Sequence, residues 1–523
     1  LQFDAIAARE DVRGIRPEPI WVTSAGSVTT QGDPSLGADL ARGQFGVDGS
    51  GTRVGVLSDT VHRVTGGTLA GNTLTGSGPQ LSGDLPAQVR VLDPGPGVGG
   101  DEGAGMLEIV HDLAPGAALS FASAASGYFT FAQNIGNLAN DPGFECDVLV
   151  DDIAYLSEPM YQDGPIAQAV DAAVAGGAAY FSAAGNIADN AHEREYRDTI
   201  NFLDDQSTPP SGVDLHDFGF AMGSGTDTHL EIIMLANATL NAFLHWDEPY
   251  HGVLASGPGA EADLDLYLVN STAPPGPANT LAQSTSFQGT VGSPMGEAVE
   301  GFQFTHPTGG TVYLVIDHFA GREPVNLHLL AHLTGTGGAT LVDKPLMRDR
   351  TVYGHNTAAG AMAVAAMFYG EIDSGGALSG SPTLLDVEGF SSLGGNLPIY
   401  FTPFGSPRLA PPETRFKPDL TAADGGNTSF FGGDTPFDAD SFPNFFGTSA
   451  AAPHAAGVAA LVLEAQPLLS PTELYDVLKN TAIDAETAGP DIQSGAGLLD
   501  AHAAVGAVQG PETSSVMDWA LYE

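Results

Sequence analysis

The chain has 523 residues, too many for one ordinary hydrophobic core, so two or more domains are expected. It carries 63 acidic against 17 basic residues, a formal net charge of −46, and such a surface repels nucleic acid and anionic membranes. No long uncharged apolar run is present, which argues against a helical membrane span. The charge suits plain extracellular solubility, high salt, carboxylate-rich cation sites, or work in acid. The sequence pI of about 4.2 argues against a working pH near that value, where solubility is poorest. Leu1 opens the chain without a charged region followed by an apolar one, so a secretory leader has been removed or never existed. The one cysteine, Cys146, forms no internal disulfide and reads as a small core residue.

In chain order, residues 1–45 lack a clear period and read as an N-terminal arm or the remnant of a pro-segment. Arg53-Val54-Gly55-Val56-Leu57-Ser58 is a short buried strand ending at Asp59. Residues 102–113 read as a helix with Met106, Leu107, Ile109, Val110 and Leu113 apolar, stopped by Ala114-Pro115-Gly116-Ala117. Strands follow at 119–122, 147–150 and 178–182, with a helix over 164–176. Short apolar strands alternating with helices predict an α/β domain, a parallel sheet with helices on both faces, whose first part spans 46–210. From 211 to 335 the helical period disappears, and alternating segments separated by Gly, Pro, Asn and Ser turns predict an inserted antiparallel β-sandwich. The α/β pattern resumes over 336–510, with an Ala-rich helix predicted at 357–368 and further helices at 448–464 and 471–480; residues 511–523 read as a loose tail.

Within the predicted sandwich, Asp263-Leu264-Asp265-Leu266-Tyr267 puts two carboxylates on one strand face. With Asp247 or Asp317 they are candidate oxygen ligands for a structural Ca²⁺. The competing reading, an edge strand whose solvated acids prevent further pairing, is favoured.

Gly447-Thr448-Ser449-Ala450-Ala451-Ala452-Pro453-His454-Ala455-Ala456-Gly457 carries the chemistry. A serine at a helix N-terminus sits beside exposed N–H groups and the positive end of the helix dipole, which stabilise an oxyanion forming there. The stretch is similar to the serine signature of the subtilisin superfamily. That resemblance implies a subtilisin-like three-layer catalytic domain and an endopeptidase acting on proteins or peptides through an acyl-enzyme on Ser449. It also implies a secreted, extracellular or periplasmic setting, with no cofactor needed for the chemistry. Val54-Gly55-Val56-Leu57-Ser58-Asp59 resembles the family's strand-end aspartate segment. Tyr180-Phe181-Ser182-Ala183-Ala184-Gly185-Asn186 resembles the segment bearing the oxyanion asparagine. Asp147 to Ala154 resembles the substrate-binding strand, with Asp152, Ile153 and Ala154 near the first specificity pocket.

The histidine of the family is replaced. Asp101-Glu102-Gly103-Ala104 opens the helix that leads to the Ala-Pro-Gly-Ala stop, which puts Glu102 at the histidine position. The sedolisin branch of the fold also uses glutamate here, but its aspartate one turn later is Met106 in this chain. The resemblance therefore implies Glu102 as general base, Asp59 orienting it or sharing a proton with it, and Asn186 on the oxyanion. His111 lies roughly 13 Å farther along the helix, too far to serve Ser449. His62 on the loop after Asp59 is a remote alternative, and His454 is expected to be packed in its helix. Glutamate titrates at about 4.3 against about 6.5 for histidine, so activity is expected below neutral pH. The alternative is an inactive scaffold of the same fold used for protein or surface binding.

Overall fold

The computed structural model describes residues 27–197, 214–219, 226–251, 258–334, 339–341, 347–371 and 385–509. The tail at 511–523 and the first 26 residues lie outside them. Five strands open the central sheet: β1 (Arg53–Ser58), β2 (Val89–Asp93), β3 (Ala118–Ser123), β4 (Val148–Asp151) and β5 (Ala179–Ala183). Two more, Ala361–Phe368 and Leu420–Asp424, complete a parallel run in the spatial order β2, β3, β1, β4, β5, 361–368, 420–424, and a small antiparallel hairpin extends it beyond β2. Val54, Val56, Val148 and Val150 point to one face, and Leu57, Leu149 and Tyr180 to the other, so the strands are apolar on both sides.

Helices cover both faces. Helix α1 (Glu102–Leu113) and helix α2 (Thr448–Ala465) share one core with Val54 and Phe181. The helices Tyr128–Asn140 and Pro165–Ala175 pack on the opposite face around Phe131, Ile135, Ile166 and Val170. Cys146 is buried in that second core, where burial pushes its thiol up to about 12 and leaves it unreactive. The three-layer α/β architecture with antiparallel additions agrees with the fold class expected from the sequence.

Residues 361–368 form a strand, not the Ala-rich helix expected there. Ala361-Met362-Ala363-Val364-Ala365-Ala366-Met367-Phe368 is buried almost throughout and pairs in parallel with β5 and Leu420–Asp424. A short apolar run has the same composition in a buried strand as in a buried helix, and helix propensity yields to the vacant sheet position. Residues 27–45, expected as an arm, are packed into the body. Leu36, Ala38 and Ala41 join the core around α2, and Arg42 pairs with Asp33 at 2.6 Å. Their two helices, Gly32–Ser35 and Ala38–Phe45, are too short to show a period in the sequence.

Residues 191–341 contribute two antiparallel sheets. One has the order Val299–Thr305, Thr239–Trp246, Asn326–Thr334, Ala191–Glu195. The other contains β6 (Asp263–Val269) and β7 (Gly310–Ala320) side by side, flanked by Thr280–Ser284 and Leu230–Met234. Trp246, Leu264, Leu266, Leu314, Ile316 and Leu329 fill the space between them, each worth about 1.5–3 kcal/mol when fully buried. Among the described residues no helix is long and apolar enough to cross a membrane.

Candidate active site

Strand order reverses around β1, which lies between β3 and β4. In open parallel sheets the crevice at such a reversal, outside the carboxyl ends of the strands, is where ligands sit. Asp59 follows β1, Asp152 follows β4, Asn186 lies shortly after β5, and Glu102 and Ser449 stand in the first turns of α1 and α2. The fold thus brings five sequence-selected residues to one edge.

Gly447 precedes α2 with φ +120, a conformation that favours glycine, and a Cβ there would lie 3.1 Å from Asn186 Nδ2. Ser449 follows in the first helical turn, where backbone N–H groups lack helical acceptors. Asn186 Oδ1 accepts from the Thr448 backbone N–H and hydroxyl, both at 3.0 Å. Those two bonds fix the amide flip and leave Nδ2 as a donor beside Gly447 and Ser449. The Thr448 hydroxyl also accepts from Gly185 N–H at 3.1 Å, tying the Asn186 loop to the helix start.

The Ser449 hydroxyl and the Asp152 carboxyl both lie close enough to the Glu102 carboxyl to bear on its titration, without a regular hydrogen bond to it among the described residues. Burial is the main cause of its raised pKa; the nearby Asp152 and Ser449 side chains oppose the rise and the charge of Asp59 adds to it. Asp152 is driven well above the ordinary aspartate range, first by burial and then by the charge of Glu102. Both Asp152 oxygens are out of water, and although Ser58 Oγ approaches them, no bond of regular geometry forms. Two ionised carboxylates have only acceptors to offer each other, so contact between them requires a proton.

Asp59 makes no hydrogen bond to Glu102 among the described residues. Its carboxylate accepts from the backbone N–H groups of Thr60 and Gly100, the latter at 2.6 Å, and more weakly from Gly103 at 3.4 Å. Asp59 therefore clamps the residues on either side of Glu102. Asp101, at φ 61 before α1, adds a second clamp by accepting from Thr60 Oγ1, Arg63, Val64 and Thr65. Burial raises the Asp101 pKa, but these bonds outweigh it and hold the carboxyl below its ordinary value.

Sequence reasoning placed Asp152 near a specificity pocket; its carboxyl lies by Glu102. Ile153 is half-buried and Ala154 exposed just beyond it. Also unforeseen is a buried array beneath the site. His355 Nδ1 meets Glu158 Oε1 at 2.8 Å and Nε2 meets Asp151 Oδ1 at 3.0 Å, while Ser182 Oγ donates to Asp151 Oδ1 at 3.1 Å. Burial alone lowers the His355 pKa, but the charges of Glu158 and Asp151 override it and lift it to about 10, so the ring is an imidazolium. The readable signal was Asp151-Asp152, two acids closing the apolar run Val148-Leu149-Val150; His355 lies in no recognisable motif.

The other histidines are elsewhere. His454 is fully buried in α2, bonded through Nδ1 to Ala450 O at 2.8 Å and through Nε2 to Thr30 Oγ1 at 3.1 Å. His111 is buried at the far end of α1, and His62 is half-buried on its loop.

Asp263 and Asp265 do not lie on an edge strand. β6 is internal, both residues are buried, and Asp265 stands opposite Asp317 of β7. Burial pushes Asp263 up to about 6 and raises Asp265. Asp247 is not part of this group, because its carboxylate pairs with Arg408 at 2.8 Å and accepts from Val325 and Asn326 N–H.

The sequence profile of the subtilase family matches residues 348–497. No curated protein matches the sequence. Among solved structures, the CspB protease of Clostridium perfringens is similar at 13% identity and TM-score 0.47, with 92% of this chain and 98% of that one covered. A protease of Pseudoalteromonas arctica is similar at 14% identity and TM-score 0.36, covering 93% and 96%. MycP1 from Mycobacterium smegmatis is similar at 13% identity and TM-score 0.35, covering 93% and 86%. Likeness this distant carries no argument about chemistry.

Proposed function

With membership of the subtilisin-like superfamily as the premise, we propose that this chain is a serine endopeptidase whose general base is Glu102 and whose resting state holds one proton on Asp152. The observation that carries the proposal is the convergence at one sheet edge of the Ser449 hydroxyl, the Glu102 carboxyl and a second carboxyl, Asp152, whose oxygens are out of water. In acyl transfer, Ser449 Oγ attacks the peptide carbonyl carbon while Glu102 takes its proton. Asn186 Nδ2 and the Ser449 backbone N–H receive the developing oxyanion. Glu102 then gives the proton to the leaving amine, and water repeats the sequence to free the acyl group. Asp152, by donating to Glu102, orients the carboxylate; Asp59 and Asp101 fix the backbone that carries it. No metal or cofactor is needed for these steps. Ile153 and Ala154, just past β4, border the extended substrate in this reading.

A base made of paired carboxyls works while the pair holds one proton, which gives a bell-shaped pH profile. Both groups lie above their ordinary values, yet below neutrality remains the natural range for a carboxylate base, so we propose an acidic optimum. A protein substrate of this kind fits a secreted or periplasmic setting. The test is hydrolysis of an unfolded protein substrate across the acid range. Cleavage that disappears in Ser449→Ala supports the proposal. Undiminished cleavage in that variant, or none by the unaltered protein at any pH, supports the inactive scaffold instead.

A further inference from the structure

A second cluster of ionisable groups lies in the sandwich, away from the peptidase centre. We propose that Asp214, His318 and Glu323 form a binding site for a divalent transition metal of the zinc class. One ligand atom from each of the three lies within 4.8 Å of the others.

The backbone is built to hold this arrangement. β7 pairs with Leu230–Met234 only as far as Leu314. Beyond that point the vacated edge is taken by the segment at Asp214, through an antiparallel bridge between Leu215 and Asp317. His216 N–H donates to Ile316 O at 3.0 Å and His318 N–H to Asp214 O at 2.8 Å. Asp317 Oδ1 accepts from Asp214 N–H at 2.7 Å. Asp214 and His318 are therefore fixed neighbours, and Glu323 follows in the turn after β7.

Both side chains are buried, and each keeps a polar atom without a partner. Asp214 is 4% exposed and His318 8%. Among the described residues, neither Asp214 Oδ1 nor His318 Nε2 has a hydrogen-bond partner. Native proteins rarely leave such atoms orphaned. His318 Nδ1 stands 3.6 Å from Asp214 Oδ2, too long for a hydrogen bond. Two ligands of one tetrahedral zinc, with bonds of about 2.1 Å, stand about 3.4 Å apart. The Nδ1 and Oδ2 atoms thus have nearly the spacing of two ligands sharing an ion, and the orphaned Nε2 and Oδ1 are the other polar atoms of the same two side chains.

The donor set selects the metal. One imidazole nitrogen with two carboxylates suits zinc and other late first-row ions, whereas calcium takes six or more oxygens. The oxygen pair expected from the sequence, Asp263 and Asp265, lies on the neighbouring strand and contributes charge, not ligands. Three protein ligands leave a fourth position for water. A bound ion would pin the Asp214 segment to the end of β7, so its effect is on stability and needs no active peptidase.

The test is metal content after the full chain is stripped with chelator and dialysed against zinc alone. One equivalent bound, with a rise in melting temperature, is expected. That equivalent should be lost or weakened tenfold or more in His318→Ala and in Glu323→Gln, the latter an exposed position that leaves the fold intact. Cobalt in place of zinc should give the visible absorption of a tetrahedral nitrogen–oxygen site. Absence of zinc binding, equal binding by both variants, or retention of calcium in preference to zinc would overturn the proposal.

Discussion

The carboxyl of Asp152 lies against that of Glu102, with both oxygens of Asp152 out of water. Removing the titratable proton while keeping a donor separates its role from mere packing. In Asp152→Asn the amide donates permanently to Glu102, so Glu102 titrates alone. The alkaline limb of the activity profile, set by loss of the shared proton, is expected to vanish and leave a rise to a plateau. A profile of kcat against pH that keeps its alkaline limb in this variant contradicts the shared proton.

In the proposed mechanism Asn186 donates only where charge develops. Asn186→Ala is expected to lower kcat by about 10²–10³-fold with little change in KM. Because Asn186 Oδ1 also holds Thr448, thermal unfolding should be followed alongside; a loss of activity that tracks unfolding would assign the residue a structural role.

Glu108 makes stability depend on pH. It is buried one and a half turns after Glu102 and meets the Ser429 N–H and hydroxyl at 2.7 and 2.6 Å. Burial lifts its pKa from 4.5 to about 8. A carboxyl raised in the folded state binds more protons there than in the unfolded chain. Its burial is therefore harmless below the unfolded value, and stability falls as pH climbs from 4.5 toward about 8, by up to about 1.4 kcal/mol per pH unit. Glu108→Gln mimics the protonated form and should flatten that slope in chemical denaturation. An unchanged slope would show that Glu108 is ionised in the folded protein.

His355 shifts stability in the same direction over a higher pH window. Its folded pKa of about 10 lies above the ordinary histidine value of 6.5, so its stabilisation is complete below 6.5 and lost as pH rises toward 10. His355→Leu leaves Asp151 and Glu158 buried without their cation and is expected to cost about 3–5 kcal/mol. His355→Gln keeps one donor and should lose less. Equal stability of both variants and the unaltered chain contradicts a charged His355.

The layered α/β fold was legible because its short strands are apolar on both faces and its helices carry stops such as Ala114-Pro115-Gly116-Ala117. That Ser449 opens a helix and Asn186 follows a strand was legible because helix and strand ends impose glycine and small residues around them. What escaped depends on distance in space. Nothing near Asp152 in the chain announces that its carboxyl meets Glu102, fifty residues earlier. The helix expected at 357–368 failed because a buried strand and a buried helix share an Ala-rich composition. The edge-strand reading of Asp263 and Asp265 failed because strand position in a sheet is decided by pairing partners far along the sequence.

The central claim is that Glu102 activates Ser449. Labelling of Ser449 by a serine-directed fluorophosphonate, followed by mass spectrometry from about pH 3 to about pH 8, tests it most directly. The unaltered protein is expected to label at Ser449 with a rate that peaks within this range, and Glu102→Gln to label about 10²–10⁴-fold more slowly while melting at a similar temperature. Equal labelling of the two proteins, or none of Ser449 at any pH, would contradict it.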